Sequence, residues 1–169
     1  MKFNNYFQIF SLPIAFKINN NLEEIYYSLQ QQYHPDFNNK LDDNNNQNYL
    51  TIINEAYKIL NDPLLRAIYI LQLKFKINLN EDNSGIKPDI TIISEILEIE
   101  EKIEERKAKK ENIKDIIDNI KLDLNKRLEL AISQIENKIE INLENIELAS
   151  QNLIKCKYLQ KIINDNKNY

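Results

Sequence analysis

Apolar positions recur at helical spacing along most of the chain. Leu22, Ile25, Leu29 and Tyr33 line one face between Asn21 and Pro35, and Leu50, Ile53, Tyr57 and Leu60 line another that ends near Asn61. The polar stretch 34–46, with its run Asn44-Asn45-Asn46, reads as the loop joining two antiparallel helices. Asn21 followed by Glu24 has the form of a capping box, and Asp62-Pro63 restarts a helix that carries through Leu64 to Leu73. Upstream, Tyr6-Phe7-Gln8-Ile9-Phe10 crowds aromatic side chains before Pro13, as expected of a short helix or turn anchoring a small core.

From Lys74 to Asp89 the periodicity lapses into Asn78, Asn80, Asp82-Asn83-Ser84-Gly85 and Pro88, the best candidate boundary between two modules. Beyond it the spacing predicts helices over 90–108, 111–138 and 142–164. Ile92, Ile96, Ile99 and Ile103 form the stripe of the first, and Ile113, Ile117, Ile120, Leu124, Leu128 and Ile135 that of the second. Ile146, Leu153 and Ile163 lie close to a stripe in the third. The expectation is an all-α protein: a helical hairpin module at 1–77, a linker at 78–89 and a three-helix bundle at 90–169. Mixed runs such as Glu104-Glu105-Arg106-Lys107 read most simply as solvated helix faces.

Composition sharpens this picture by exclusion. One Gly and four Pro in 169 residues leave little to interrupt helix, and the abundance of Asn, Ile and Lys matches an AT-rich coding sequence. A single Cys156 cannot form an internal disulfide or a multi-thiolate metal site, so a reducing, cytoplasmic setting is expected. No run of some 18 apolar residues is present, and Met1-Lys2-Phe3-Asn4-Asn5-Tyr6 lacks the apolar core of a signal peptide, so no membrane association is expected. The net charge of −4 falls entirely in residues 78–169, which argues against a nucleic-acid partner. With one His, one Cys and one Gly, the chain has no Gly-rich phosphate loop and no Cys/His metal cluster. Neither a catalytic centre of its own nor a cofactor is expected.

The one histidine lies in Gln32-Tyr33-His34-Pro35-Asp36, between the two amphipathic helices of the hairpin. Pro35 cannot continue the preceding helix, so His34 and Asp36 project from a helix end with restricted backbone freedom. Asp36 is a short carboxylate suited to a partner's guanidinium. Taken alone, the tripeptide is equally a helix cap followed by a turn.

The surrounding pattern resembles J domains: an aromatic-rich first segment, an amphipathic helix, His34-Pro35-Asp36, then a return through Ile53-Asn54-Glu55-Ala56-Tyr57-Lys58-Ile59-Leu60. The run Pro63-Leu64-Leu65-Arg66-Ala67-Ile68-Tyr69-Ile70-Leu71 is similar to the Pro-x-x-Arg-Ala-x-Tyr-x-Leu segment that closes the J domain in the HscB family. Ile93-Ser94-Glu95-Ile96-Leu97-Glu98-Ile99-Glu100-Glu101 and Lys157-Tyr158-Leu159-Gln160-Lys161-Ile162 are similar to C-terminal segments of the same family. The resemblance covers essentially the whole chain.

It implies a co-chaperone whose His34, Pro35 and Asp36 engage a DnaK-class, HscA-like chaperone and stimulate its ATPase. It also implies that Ile93, Ser94, Leu97, Glu98, Glu101, Glu105 and Tyr158 bind an IscU-type iron–sulphur scaffold. A J-domain adaptor for other client proteins is the alternative, and Leu97 could instead be core with the glutamates merely solvated. The chain departs from the pattern at several points. Residues 22–33 carry no Lys or Arg where J domains usually place basic residues, Phe37 replaces the Lys that commonly follows the motif, Ser94 stands where an apolar residue is usual, and Glu100 stands where Arg is common. Cys pairs ahead of the J domain, found in some mitochondrial relatives, are absent, which implies the shorter bacterial form.

Overall fold

The computed structural model describes residues 4–18, 21–34, 43–79, 86–136 and 142–168, with the side chains of 43–48 not described. Among these residues there are seven helices and no strand, in two compact units, Met1–Lys74 and Phe75–Tyr169.

The first unit holds α1 (Tyr6–Ile9), α2 (Leu22–Tyr33), α3 (Asp43–Asn61) and nearly all of α4 (Pro63–Phe75). Asn5 caps α1 by accepting from the Gln8 N–H at 3.0 Å. Ser11, at φ 54°, turns the chain back so that the Leu12 N–H reaches the Phe7 carbonyl at 2.9 Å. Phe7 and Phe10 are buried, as are Ala56, Leu60, Ala67, Ile68 and Leu71 of the same unit.

The start of α2 differs from expectation. Asn21 occupies the N-cap position but makes no side-chain capping bond, so Glu23 and Glu24 in the first turn are left to complement the helix dipole. The return helix α3 begins at Asp43, so Asn44, Asn45 and Asn46 are helical rather than loop. Asn costs a helix only about 0.7 kcal/mol per residue relative to Ala, and a helix already nucleated by a packed C-terminal half extends over such residues.

In the second unit α5 (Ile90–Ala108), α6 (Lys114–Glu136) and α7 (Leu143–Asp165) build the bundle. The caps are local. Asp89 accepts from the Thr91 N–H and hydroxyl at 3.0 and 3.1 Å, and Asn142 accepts from the Asn145 N–H at 2.8 Å. Asn112 accepts from the Lys114 N–H at 2.7 Å, which places the start of α6 three residues later than the apolar pattern predicts.

The α7 helix departs most from its expected stripe. It buries Ala149, Ser150, Leu153, Ile154, Lys155, Cys156, Leu159 and Ile162, whereas Ile146 and Ile163 are only half-buried. A helix packed against two neighbours, here α5 and α6, needs a broad buried arc rather than a single stripe. The described ends of the loop-like stretch also rest on α7. Lys157 Nζ donates to the Leu79 carbonyl at 2.6 Å, and Gln151 bridges the Lys87 carbonyl and the Asp89 N–H at 2.8 and 3.0 Å.

Candidate functional site

The corner between α3 and α4 is built by residues of the Asp62–Tyr69 run. Asp62 accepts from the N–H groups of Leu64 and Leu65 at 2.8 and 3.0 Å, and Pro63 takes the first helical position, where no amide donor is needed. Arg66 reaches back to the Leu60 carbonyl at 2.6 Å, satisfying an end of α3, while its guanidinium lies 4.8 Å from the centre of the Phe16 ring. Ala67 is fully packed. The Tyr69 hydroxyl accepts from the Tyr6 N–H at 2.9 Å, and the two rings stack at 4.8 Å, so α4 holds the first helix of the chain. Burial, with Glu55 nearby, pushes the Tyr6 hydroxyl up to about 12.

This closed corner supports the α2–α3 hairpin. Tyr26 stacks on Tyr57 at 4.0 Å, and Asn54 accepts from the Tyr26 hydroxyl and the Gln30 amide at 2.9 and 2.6 Å. At the far end of α2, Tyr33 meets Tyr49 at 5.4 Å. His34 follows at once as the C-cap, with φ −66° and ψ 132°, the extended geometry that a residue before proline prefers. His34 therefore leaves the helix where the hairpin is pinned. Pro35 and Asp36 lie outside the described residues. Residues 22–33 contain no cation, and Tyr27, 61% exposed, is the largest apolar side chain on the outside of α2.

The second candidate surface lies on α5. Ile92, Ile96 and Ile103 are buried against the bundle, which turns Ser94, Leu97, Glu98, Glu101 and Glu105 outward. Leu97 is 59% exposed and is not a core residue. Ile93 and, on α7, Tyr158 are half-buried. The Ser94 hydroxyl donates to the Ile90 carbonyl at 3.1 Å, so a polar residue sits in the helix without an unmet donor.

A network that the apolar pattern did not reveal joins α5 to its neighbours. Lys155 of α7, 3% exposed, is paired with Glu95 of α5 and with Asp123 of α6, the latter at 3.3 Å. Arg127 contacts both Asp123 carboxylate oxygens, at 3.0 and 3.1 Å, and lies 3.8 Å from Glu95. The one signal available in the sequence was a cation, Lys155, set between the apolar residues Leu153-Ile154 and Cys156. Among the described residues no cluster of His, Cys, Asp and Glu could hold a metal ion, and no helix is long and apolar enough to cross a membrane.

Family models match both halves of the chain. The DnaJ domain family model matches residues 5–69, and the HSCB C-terminal oligomerisation domain model matches residues 88–167. A co-chaperone protein HscB homolog of Psychromonas ingrahamii is 32% identical over 164 residues, covering 94% of this chain and 92% of the relative. The chain belongs to the HscB co-chaperone family. Another HscB homolog, from Acinetobacter baumannii, is 28% identical over 162 residues, covering 95% of this chain and 87% of the relative. Two solved HscB structures share the fold. The chaperone HscB from Vibrio cholerae has a TM-score of 0.75 at 24% identity, over 95% of this chain and 94% of that one. The human co-chaperone HscB has a TM-score of 0.77 at 26% identity, over 99% of this chain and 82% of that one. The first unit thus carries an HscB J domain and the second the family's C-terminal helical domain. The protein is a co-chaperone rather than an enzyme.

Proposed function

We propose that this co-chaperone stimulates the ATPase of a DnaK-class, HscA-like chaperone through His34, Pro35 and Asp36, and delivers to it an IscU-type iron–sulphur scaffold. Residues 1–77 would serve the chaperone and residues 90–169 the client, with 78–89 as the linker, in a cytoplasmic setting. The chemistry belongs to the chaperone. The motif acts by binding one chaperone conformation better than another, since a ligand shifts an equilibrium only by its differential affinity.

The observation that carries the client half of this reading is the exposure of Leu97, at 59%, on a helix whose other outward residues are mostly glutamates. An apolar anchor within a charged rim is the usual anatomy of a protein-binding patch. Ile93, Ser94, Glu98, Glu101, Glu105 and Tyr158 complete the proposed surface. Calorimetric titration of an IscU-type scaffold into the protein tests it directly. Saturable binding that falls when Glu98 and Glu101 are both changed to Lys is the expected result. No binding would instead make the chain a J-domain adaptor for another client.

A further inference from the structure

A lysine with 3% exposure is costly to keep charged unless its partners are well placed. Lys155 has two carboxylates, and they come from different helices: Glu95 from α5 and Asp123 from α6. Arg127 closes the group by contacting Asp123 and Glu95 and by donating to Asn152 at 3.3 Å, so two cations and two anions alternate across three helices. Glu95 is the only residue of α5 in this group, and its side chain is 51% exposed. The buried face of α5 is isoleucine: Ile92, Ile96 and Ile103. An all-isoleucine seam specifies burial but tolerates rotation or a slip of the helix, whereas an ion pair seated in one place does not. Lys155 lies one turn before Tyr158, and Glu95 lies within one turn of Ser94, Leu97 and Glu98, so the pairing also sets those turns beside each other.

We infer that Lys155 is a positioning residue that fixes the rotation of α5 through Glu95 and thereby aims Leu97, Glu98 and Glu101 at the client. It is itself too buried to touch a partner. The inference rests on the proposed client surface for its functional consequence, but its structural part stands without it.

The test compares the full-length wild type with Lys155→Met, Lys155→Arg and Leu97→Ala, using scaffold titration and amide hydrogen exchange. The inference expects Lys155→Met to speed exchange in residues 90–108 about tenfold, leaving α6 and α7 protected. It expects scaffold affinity to fall about fivefold or more, with Lys155→Arg restoring both. Wild-type exchange in α5 together with wild-type affinity in Lys155→Met would overturn it. So would a loss that Lys155→Arg fails to rescue, because that marks a packing role. Should Lys155→Met not fold, Glu95→Gln removes only the α5 arm of the network and must give the same two changes. Leu97→Ala separates the two ideas. If it binds scaffold at wild-type strength, the client surface is wrong and α5 exchange alone decides the role of Lys155. If it weakens binding while Lys155→Met does not, the surface stands and the positioning role falls.

Discussion

His34 leaves α2 at a point fixed from both sides, by the Tyr33–Tyr49 contact before it and by the proline that follows. The ring contact that pins the hairpin there is between Tyr33 and Tyr49 and does not use the His34 side chain. His34→Gln should therefore retain wild-type helicity and lose stimulation of the chaperone ATPase, and a folded variant that still stimulates would dismiss the motif as the effector. Cys156 is the opposite kind of residue. It is fully buried, its thiol faces the Leu124 carbonyl at 3.5 Å, and burial pushes it up to about 12 from an ordinary value of 9.0. Below pH 9 the thiol is protonated in both folded and unfolded chains. Above it the unfolded chain gives up its proton first, so the contribution to stability is lost as pH rises toward 12. Chemical denaturation between pH 8 and 11 should show this decline in the wild type and a shallower one in Cys156→Ala. Thiol-reactive probes at pH 8 should label the native protein far more slowly than the unfolded one.

Among the elements, α5 and α6 were legible because their isoleucines and leucines keep helical spacing, and α5 runs over the same residues that the spacing predicts. The errors have a common cause, which is that polar residues act according to context. Asn112 and Asn142 cap, Asn21 does not cap with its side chain, and Asn44 to Asn46 extend a helix. Residue type alone does not separate these outcomes. Nor does a one-stripe description suit α7, whose buried lysine makes sense only once the carboxylates of two other helices surround it. The outward face of α5 follows from its inward one, so an exposed Leu97 was accessible to sequence reasoning, although a core Leu97 stayed open as the alternative until the packing was known. Leu97→Ala combined with Tyr158→Ala should weaken scaffold binding more than tenfold, a loss of about 1.4 kcal/mol or more. Because Leu97 leaves no sealed cavity, a thermal melt should show only a modest shift. Collapse of the melt would reassign Tyr158 to the core, and unchanged binding in a stable variant would remove the client surface.

At the scale of the whole molecule, each unit has its own buried cluster: Phe7, Phe10, Leu60 and Leu71 in the first, Ile103, Leu153, Cys156 and Leu159 in the second. A fragment ending at Asn78 should therefore fold and stimulate the chaperone ATPase while failing to recruit scaffold. An unfolded fragment by circular dichroism would show that the first core depends on the second. The proposed division of labour also defines the most direct measurement: single-turnover ATP hydrolysis by the cognate DnaK-class chaperone, with this protein alone and with an IscU-type scaffold added. The account predicts faster hydrolysis with the protein alone, a further increase when scaffold is present, and no response to either with His34→Gln. Unchanged hydrolysis in the presence of the folded wild-type protein, with or without scaffold, would contradict it.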